Sequence, residues 1–101
     1  MPLYMDVHRN LEGLTAEGIA DAHQKDLEVQ DKHGVKYLNY WYNEETGTIF
    51  CLFEAPSKEA ADAVHREAHG LAADEIIDVK EGSSFSVVYE FGEEELLLAL
   101  E

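Results

Sequence analysis

The chain opens on strict alternation, with Leu3, Met5 and Val7 on one side and Tyr4, Asp6 and His8 on the other. A period of two over Leu3 to His8 predicts a short strand with one apolar face. Leu11 to Leu14 contains Gly13 and reads as a turn. Thr15 then offers an N-cap, with Glu17 and Asp21 early in a helix, where acids suit the dipole. That helix is expected from about Ala16 to Lys32, stopped at His33-Gly34. On its wheel Ala16, Ile19, Ala20, His23, Leu27 and Gln30 share one stripe. Val35 to Tyr42, rich in β-branched and aromatic residues, predicts a second strand. Asn43 to Gly47 is a polar hairpin loop and Thr48 to Ala55 a third strand, ended by Pro56. Ser57 caps a second helix from Lys58 to about His69, closed by Gly70. Asp74 to Val79 predicts a fourth strand and Ser84 to Phe91 a fifth.

The order is βαββαβ with an added C-terminal strand, an α+β arrangement of ferredoxin-like type. Residues 1–82 form the domain, and residues 83–101 are a C-terminal extension comprising the extra strand and a short tail, Glu93 to Glu101. Two helices cover one sheet face and leave the other open. Tyr4, Asp6 and His8 are expected on the open face. They are joined there by either Phe50, Leu52 and Glu54 or Ile49, Cys51 and Phe53, which periodicity does not separate. An apolar face of this size calls for a cover, and a homodimer packed sheet on sheet, a dimeric α+β barrel-type assembly, supplies one.

Length and charge narrow the function. One hundred and one residues hold a single core. Lys and Arg number 7 against 22 Asp and Glu, a formal net charge of -15, which repels phosphate backbones and anionic bilayers and either attracts cations or serves only solubility or adaptation to salt. A nucleic-acid or membrane partner is therefore not expected. Cys51 is the single cysteine, so an internal disulfide is excluded and a reducing compartment fits. Met1 to Asn10 reads as a strand rather than a signal peptide, and no run reaches the ~18 apolar residues of a spanning helix. The expected location is cytoplasmic.

Histidine carries the candidate chemistry. His65 and His69, four apart on the second helix, project from one face about a turn apart, a spacing at which two imidazoles can chelate a divalent ion. The segment reads H-R-E-A-H, so the acid is displaced from its place in a zinc-protease helix. His23 lies on or beside the buried stripe of the first helix, with Asp26 three residues on as a partner able to orient its ring. His33 sits at a helix terminus and reads as a cap. Asp6 and His8 share a strand face, where they either pair across a dimer or act as ligands. Cys51, inside an apolar strand, is a small buried hydrophobe or, facing the same cavity, a soft ligand for nickel, copper or zinc. Tyr37, Tyr40, Trp41 and Tyr42 alternate across both sheet faces as core and interface.

The string FCLFEAPSKEAADAVHREAHG, following VKYLNYW, resembles a family of small ferredoxin-like proteins long catalogued as a domain of unknown function, one member of which is described as nickel-binding. The resemblance spans roughly Leu3 to Val79. It is most specific around Cys51 and the Ala55-Pro56 step that opens the second helix. It implies a homodimer with metal at the dimer surface, and points to Cys51 and the second-helix histidines.

These readings together predict a homodimer that binds a divalent transition metal, nickel first and zinc or copper next, for sequestration or sensing. The expected ligands are His65 and His69, then His8 and Asp6, then His23 and Cys51. The rival expectation is a small dimeric α+β barrel enzyme acting on a hydrophobic or aromatic small molecule, with His23, Asp26 or His65 as acid–base.

Overall fold

The computed structural model describes residues 1–84. The elements follow as β1 (Leu3–His8), α1 (Ala16–Val29), a 3-10 turn (Gln30–His33), β2 (Lys36–Asn43), β3 (Thr48–Glu54), α2 (Lys58–Ala68) and β4 (Glu75–Asp78). The strand expected over Ser84 to Phe91, apart from its first residue, and the tail Glu93 to Glu101 lie outside the described residues. The four strands form one antiparallel sheet in the order β2-β3-β1-β4. With two helices intervening, this is the ferredoxin-like α+β arrangement.

Local chemistry sets the boundaries. The Thr15 hydroxyl accepts from the Gly18 N–H and the Ser57 hydroxyl from the Ala60 N–H, so each helix begins on a capped first turn. The end of α1 tightens into the 3-10 turn, which closes on Gly34 at φ 69°. Only a residue without Cβ adopts that left-handed geometry at little cost.

The core lies between sheet and helices and holds Tyr4, Val35, Tyr37, Cys51, Phe53, Ala55, Ala61 and Val64. Tyr4 stacks on Phe53 with ring centroids 5.5 Å apart, and Tyr37 leans on the same ring at 5.2 Å.

The expected facing of β1 is reversed. Tyr4, Asp6 and His8 point at the helices and are buried, Asp6 completely. Strand register then places Ile49, Cys51 and Phe53 on the helix side with them, and Leu3, Met5, Val7, Phe50 and Leu52 on the open face. The physical reason is mutual satisfaction: the buried polar groups of β1 bond to side chains of α1 and α2, so the polar side of the strand can be the inner one.

A second departure is in β2. The register slips between Tyr37 and Asn39, a bulge that lets both Tyr37 and Tyr40 pair with helix-side residues of β3, Phe53 and Cys51. Simple alternation puts these tyrosines on opposite faces. Among the described residues no helix is long and apolar enough to cross a membrane.

Candidate metal centre

Four elements deliver the polar cluster: β1, β3, α1 and α2. On β1 the period of two puts Asp6 and His8 on one face, and Asp6 sits directly across from Cys51 of β3. Side chains directly opposite on adjacent strands start about 4.5–5.5 Å apart at Cβ. Helix α1 supplies Asp26, buried two turns beyond Ile19 on the same inward stripe. Helix α2 supplies His65, and His69 is its C-cap residue. The two rings stand 5.1 Å apart, as their spacing predicts.

His65 is the centre of the cluster. Its Nδ1 donates to Asp26 Oδ1 at 2.9 Å and its Nε2 to Asp6 Oδ2 at 2.8 Å, with the Tyr37 hydroxyl 3.2 Å from the same Nε2. His69 joins at the far end. Its Nδ1 accepts from the Leu71 N–H at 3.1 Å, which leaves the ring proton on Nε2, facing Asp26 Oδ1 at 3.0 Å. At the near end His8 Nε2 lies 3.3 Å from Asp6 Oδ1, and the His8 ring meets His65 edge-on at 5.0 Å. Asp6 Oδ1 is a buried oxygen without a hydrogen bond among the described residues.

The electrostatics follow from these contacts. Burial alone lowers the His65 pKa, but the hydrogen bonds and charges of Asp26 and Asp6 outweigh it and raise it to about 9. Burial likewise opposes ionisation of Asp6, yet His65 and His8 beside it bring its pKa down to about 2. Asp26 is held below the ordinary carboxylate range against its burial by His65 and His69. The buried trio is therefore carboxylate–imidazolium–carboxylate, with a net charge of one negative unit. Burial, reinforced by Asp6, pushes the Cys51 thiol well up, and burial pushes the Tyr37 phenol up as well.

A cavity of about 40 Å³ adjoins the cluster, walled by His8, Cys51, Asp26, His65, His69 and, at one side, His23, and otherwise by apolar side chains such as Ile19, Ile49 and Leu71. His23 packs on Tyr40 at 4.7 Å and edge-on to Tyr37 at 5.9 Å, and burial lowers its pKa.

Asp6, His8, Cys51, His65 and His69 thus come together, and His23 stands at the cavity wall rather than in the bonded chain. Asp26 was expected to orient His23; its Oδ1 instead takes His65 and His69. Leu27, expected on the inner stripe of α1, is exposed. His33 is away from the cluster, 3.3 Å from Glu67 Oε2, while the other oxygen of that carboxylate, Oε1, accepts from Lys32 Nζ. Tyr37 was missed as a member of the site. The bulge in β2 that turns it inward leaves no mark on the alternation pattern.

The donors fit a transition metal. Two triads, Asp6–His8–Cys51 and Asp26–His65–His69, each bring their ligand atoms within 4.8 Å of one another. Bonds of about 2.0–2.3 Å hold the ligands of one ion roughly 3–4 Å apart, so small side-chain movements close either set. Imidazole, carboxylate and thiol together suit nickel, zinc or copper better than magnesium or calcium.

Residues 4–79 match the family described as "Nickel responsive protein SCO4226-like". Among solved structures, the chain is similar to SCO4226 from Streptomyces coelicolor A3(2), with 41% sequence identity and a TM-score of 0.75. The match covers 80% of this chain and 99% of that one. No curated protein matches it.

Proposed function

The chain belongs to the SCO4226-like family of nickel-responsive proteins, and from that premise we propose that it binds a divalent transition metal, nickel first and zinc or copper next. The observation that carries the reading is the convergence of Asp6, His8, Cys51, Asp26, His65 and His69 on one buried cluster beside an ion-sized cavity. His23 is the remaining proposed participant, at the wall of that cavity. The family description fits such a role. The net charge of -15 supports it further by raising the local concentration of cations.

The role is capture, for sequestration or sensing, rather than turnover. A cavity of about 40 Å³ holds an ion and a water, whereas ligand pockets for aromatic substrates run to roughly 300 Å³ and more. A cytoplasmic setting suits the free, buried thiol of Cys51. The assembly is a homodimer that covers the open sheet face.

Calorimetric titration of nickel and zinc into tag-free, chelator-treated protein tests the reading. Stoichiometric binding that is lost in the His65→Ala, His69→Ala double variant is expected. Absence of binding at micromolar metal overturns it.

A further inference from the structure

We infer that the ion is held by Asp6, His8 and Cys51, while His65, Asp26 and His69 are positioning residues that fix Asp6 from behind. The inference rests on the metal-binding reading above and assigns the roles within it.

The lone pairs of the two triads are unequally committed. Both ring nitrogens of His65 are committed, Nδ1 to Asp26 and Nε2 to Asp6. Both nitrogens of His69 are committed too, Nδ1 to the Leu71 N–H and Nε2 to Asp26. An ion bound by this pair has to break two or more of these contacts, one of them between fully buried groups. The other triad gives up less: the long His8–Asp6 contact at 3.3 Å and the approach of the Cys51 thiol to Asp6. Asp6 Oδ1 is completely buried and, among the described residues, has no hydrogen bond of good geometry, only the 3.3 Å approach of His8, a condition that native proteins seldom leave without a partner. His8 Nε2 stands 3.3 Å from it, and Cys51 lies directly across the strand pair. His8 and Cys51 both line the cavity, which supplies the approach and room for water as a further ligand.

The chain behind Asp6 has the form that outer partners of metal ligands take. A histidine donates to the ligating carboxylate and is itself oriented by a second carboxylate. This arrangement fixes which oxygen of Asp6 is offered. Oδ2 is held by His65, and Oδ1 is left for the ion.

The chemistry balances simply. As the sulfur takes the ion, the Cys51 thiol gives its proton to the buffer, since a coordinating thiol is deprotonated outright. A ligand set of one sulfur, one nitrogen and one oxygen selects nickel, cobalt, zinc or copper over magnesium and calcium.

Cobalt(II) is the probe, because a cobalt–thiolate bond produces an intense near-ultraviolet charge-transfer absorption. The expected result is that absorption in the wild-type protein, saturating at stoichiometric cobalt and absent in Cys51→Ser. His69→Gln and His65→Gln should keep the band at saturating cobalt but bind about 10–100-fold more weakly, the usual cost of an outer partner. His8→Asn should cost more than either. If Cys51→Ser fails to fold, the wild-type spectrum decides alone. Stoichiometric cobalt without the band overturns this assignment and leaves the metal-binding reading standing. No uptake of either cobalt or nickel overturns both.

Discussion

His65 Nε2 and Asp6 Oδ2 are 2.8 Å apart, a bond between the second helix and the first strand across 59 positions of sequence. Both groups are buried, and Asp26 holds the other side of the ring. Replacing His65 with Ala removes the imidazolium between two buried carboxylates and leaves Asp6 with only His8, and Asp26 with only His69, beside it. Removing one partner of a buried pair costs about 3–5 kcal/mol, and His65→Ala should lose stability in that range in chelator-treated protein. Urea unfolding measures it. A loss below about 1 kcal/mol means that the contact does not hold α2 to the sheet.

The same bond sets a pH window for the metal-free protein. His65 has its pKa raised from 6.5 to about 9, so its stabilisation is complete below about 6.5 and disappears as the pH climbs through 9. Asp6 has its pKa lowered from 3.8 to about 2, so its contribution is complete above about 4 and is lost as the pH falls toward 2. Urea midpoints should therefore form a plateau between about pH 4 and 6.5 and decline on both sides. In His65→Gln the alkaline decline should flatten. An unchanged alkaline limb in that variant assigns the decline to another group.

Much of the fold is visible in single residues. Thr15 and Ser57 announce helix starts, Gly34 and Gly70 mark their ends at positive φ, and the alternation from Leu3 to His8 gives β1 without error. Which face of β1 is buried is not visible. Leu3, Met5 and Val7 look like the inner set, and what overrides them is a bond network whose members come from β1, α1 and α2. Periodicity reports one segment at a time, so it cannot register Asp26 and His65 arriving to satisfy Asp6. The spacing of His65 and His69 does foretell their neighbouring rings. It does not foretell that their nitrogens are already engaged.

Gly47 illustrates a constraint that local sequence shows only in part. It closes the β2–β3 hairpin at φ 64°, and its carbonyl accepts from the Leu11 N–H at 3.0 Å, docking the hairpin on the loop before α1. A Cβ at this position runs into the Leu11 backbone. Gly47→Ala should cost about 1–3 kcal/mol from the left-handed backbone, with the clash added to it. Thermal unfolding reads the loss, and an unchanged midpoint shows that the hairpin and loop separate freely.

Metal should stabilise the protein by mass action. At nickel 100-fold above the dissociation constant the gain is about 2.7 kcal/mol. At roughly 4–8 °C per kcal/mol for a domain of this size, the melting temperature should rise by on the order of 10–20 °C. Excess chelator should reverse the shift, and magnesium should not reproduce it. A shift of equal size with magnesium points to screening of the -15 charge instead of a site.

The open sheet face carries the prediction about assembly. Register lines up Trp41, Phe50 and Val7 in one row across β2, β3 and β1, and Leu52, Met5 and Ile77 in the next across β3, β1 and β4. Trp41 is 49% exposed, Phe50 40% and Ile77 41%, whereas Val7 between them is buried, so apolar side chains stand exposed toward both edges of this face. Twisted sheets pack face to face at about 10 Å, and a stable interface needs about 800 Å² from each partner, an area that a four-stranded face can supply. The wild-type protein should sediment as a dimer at micromolar concentration. Trp41→Glu places a charge in the middle of the face, where burial without a partner is costly, and should sediment as a monomer with the metal cluster intact. The cluster lies on the opposite side of the sheet, so nickel binding per chain should survive the substitution. A monomeric wild type rules out the second copy as the cover for this face, and loss of metal together with the dimer shows that the site depends on both chains.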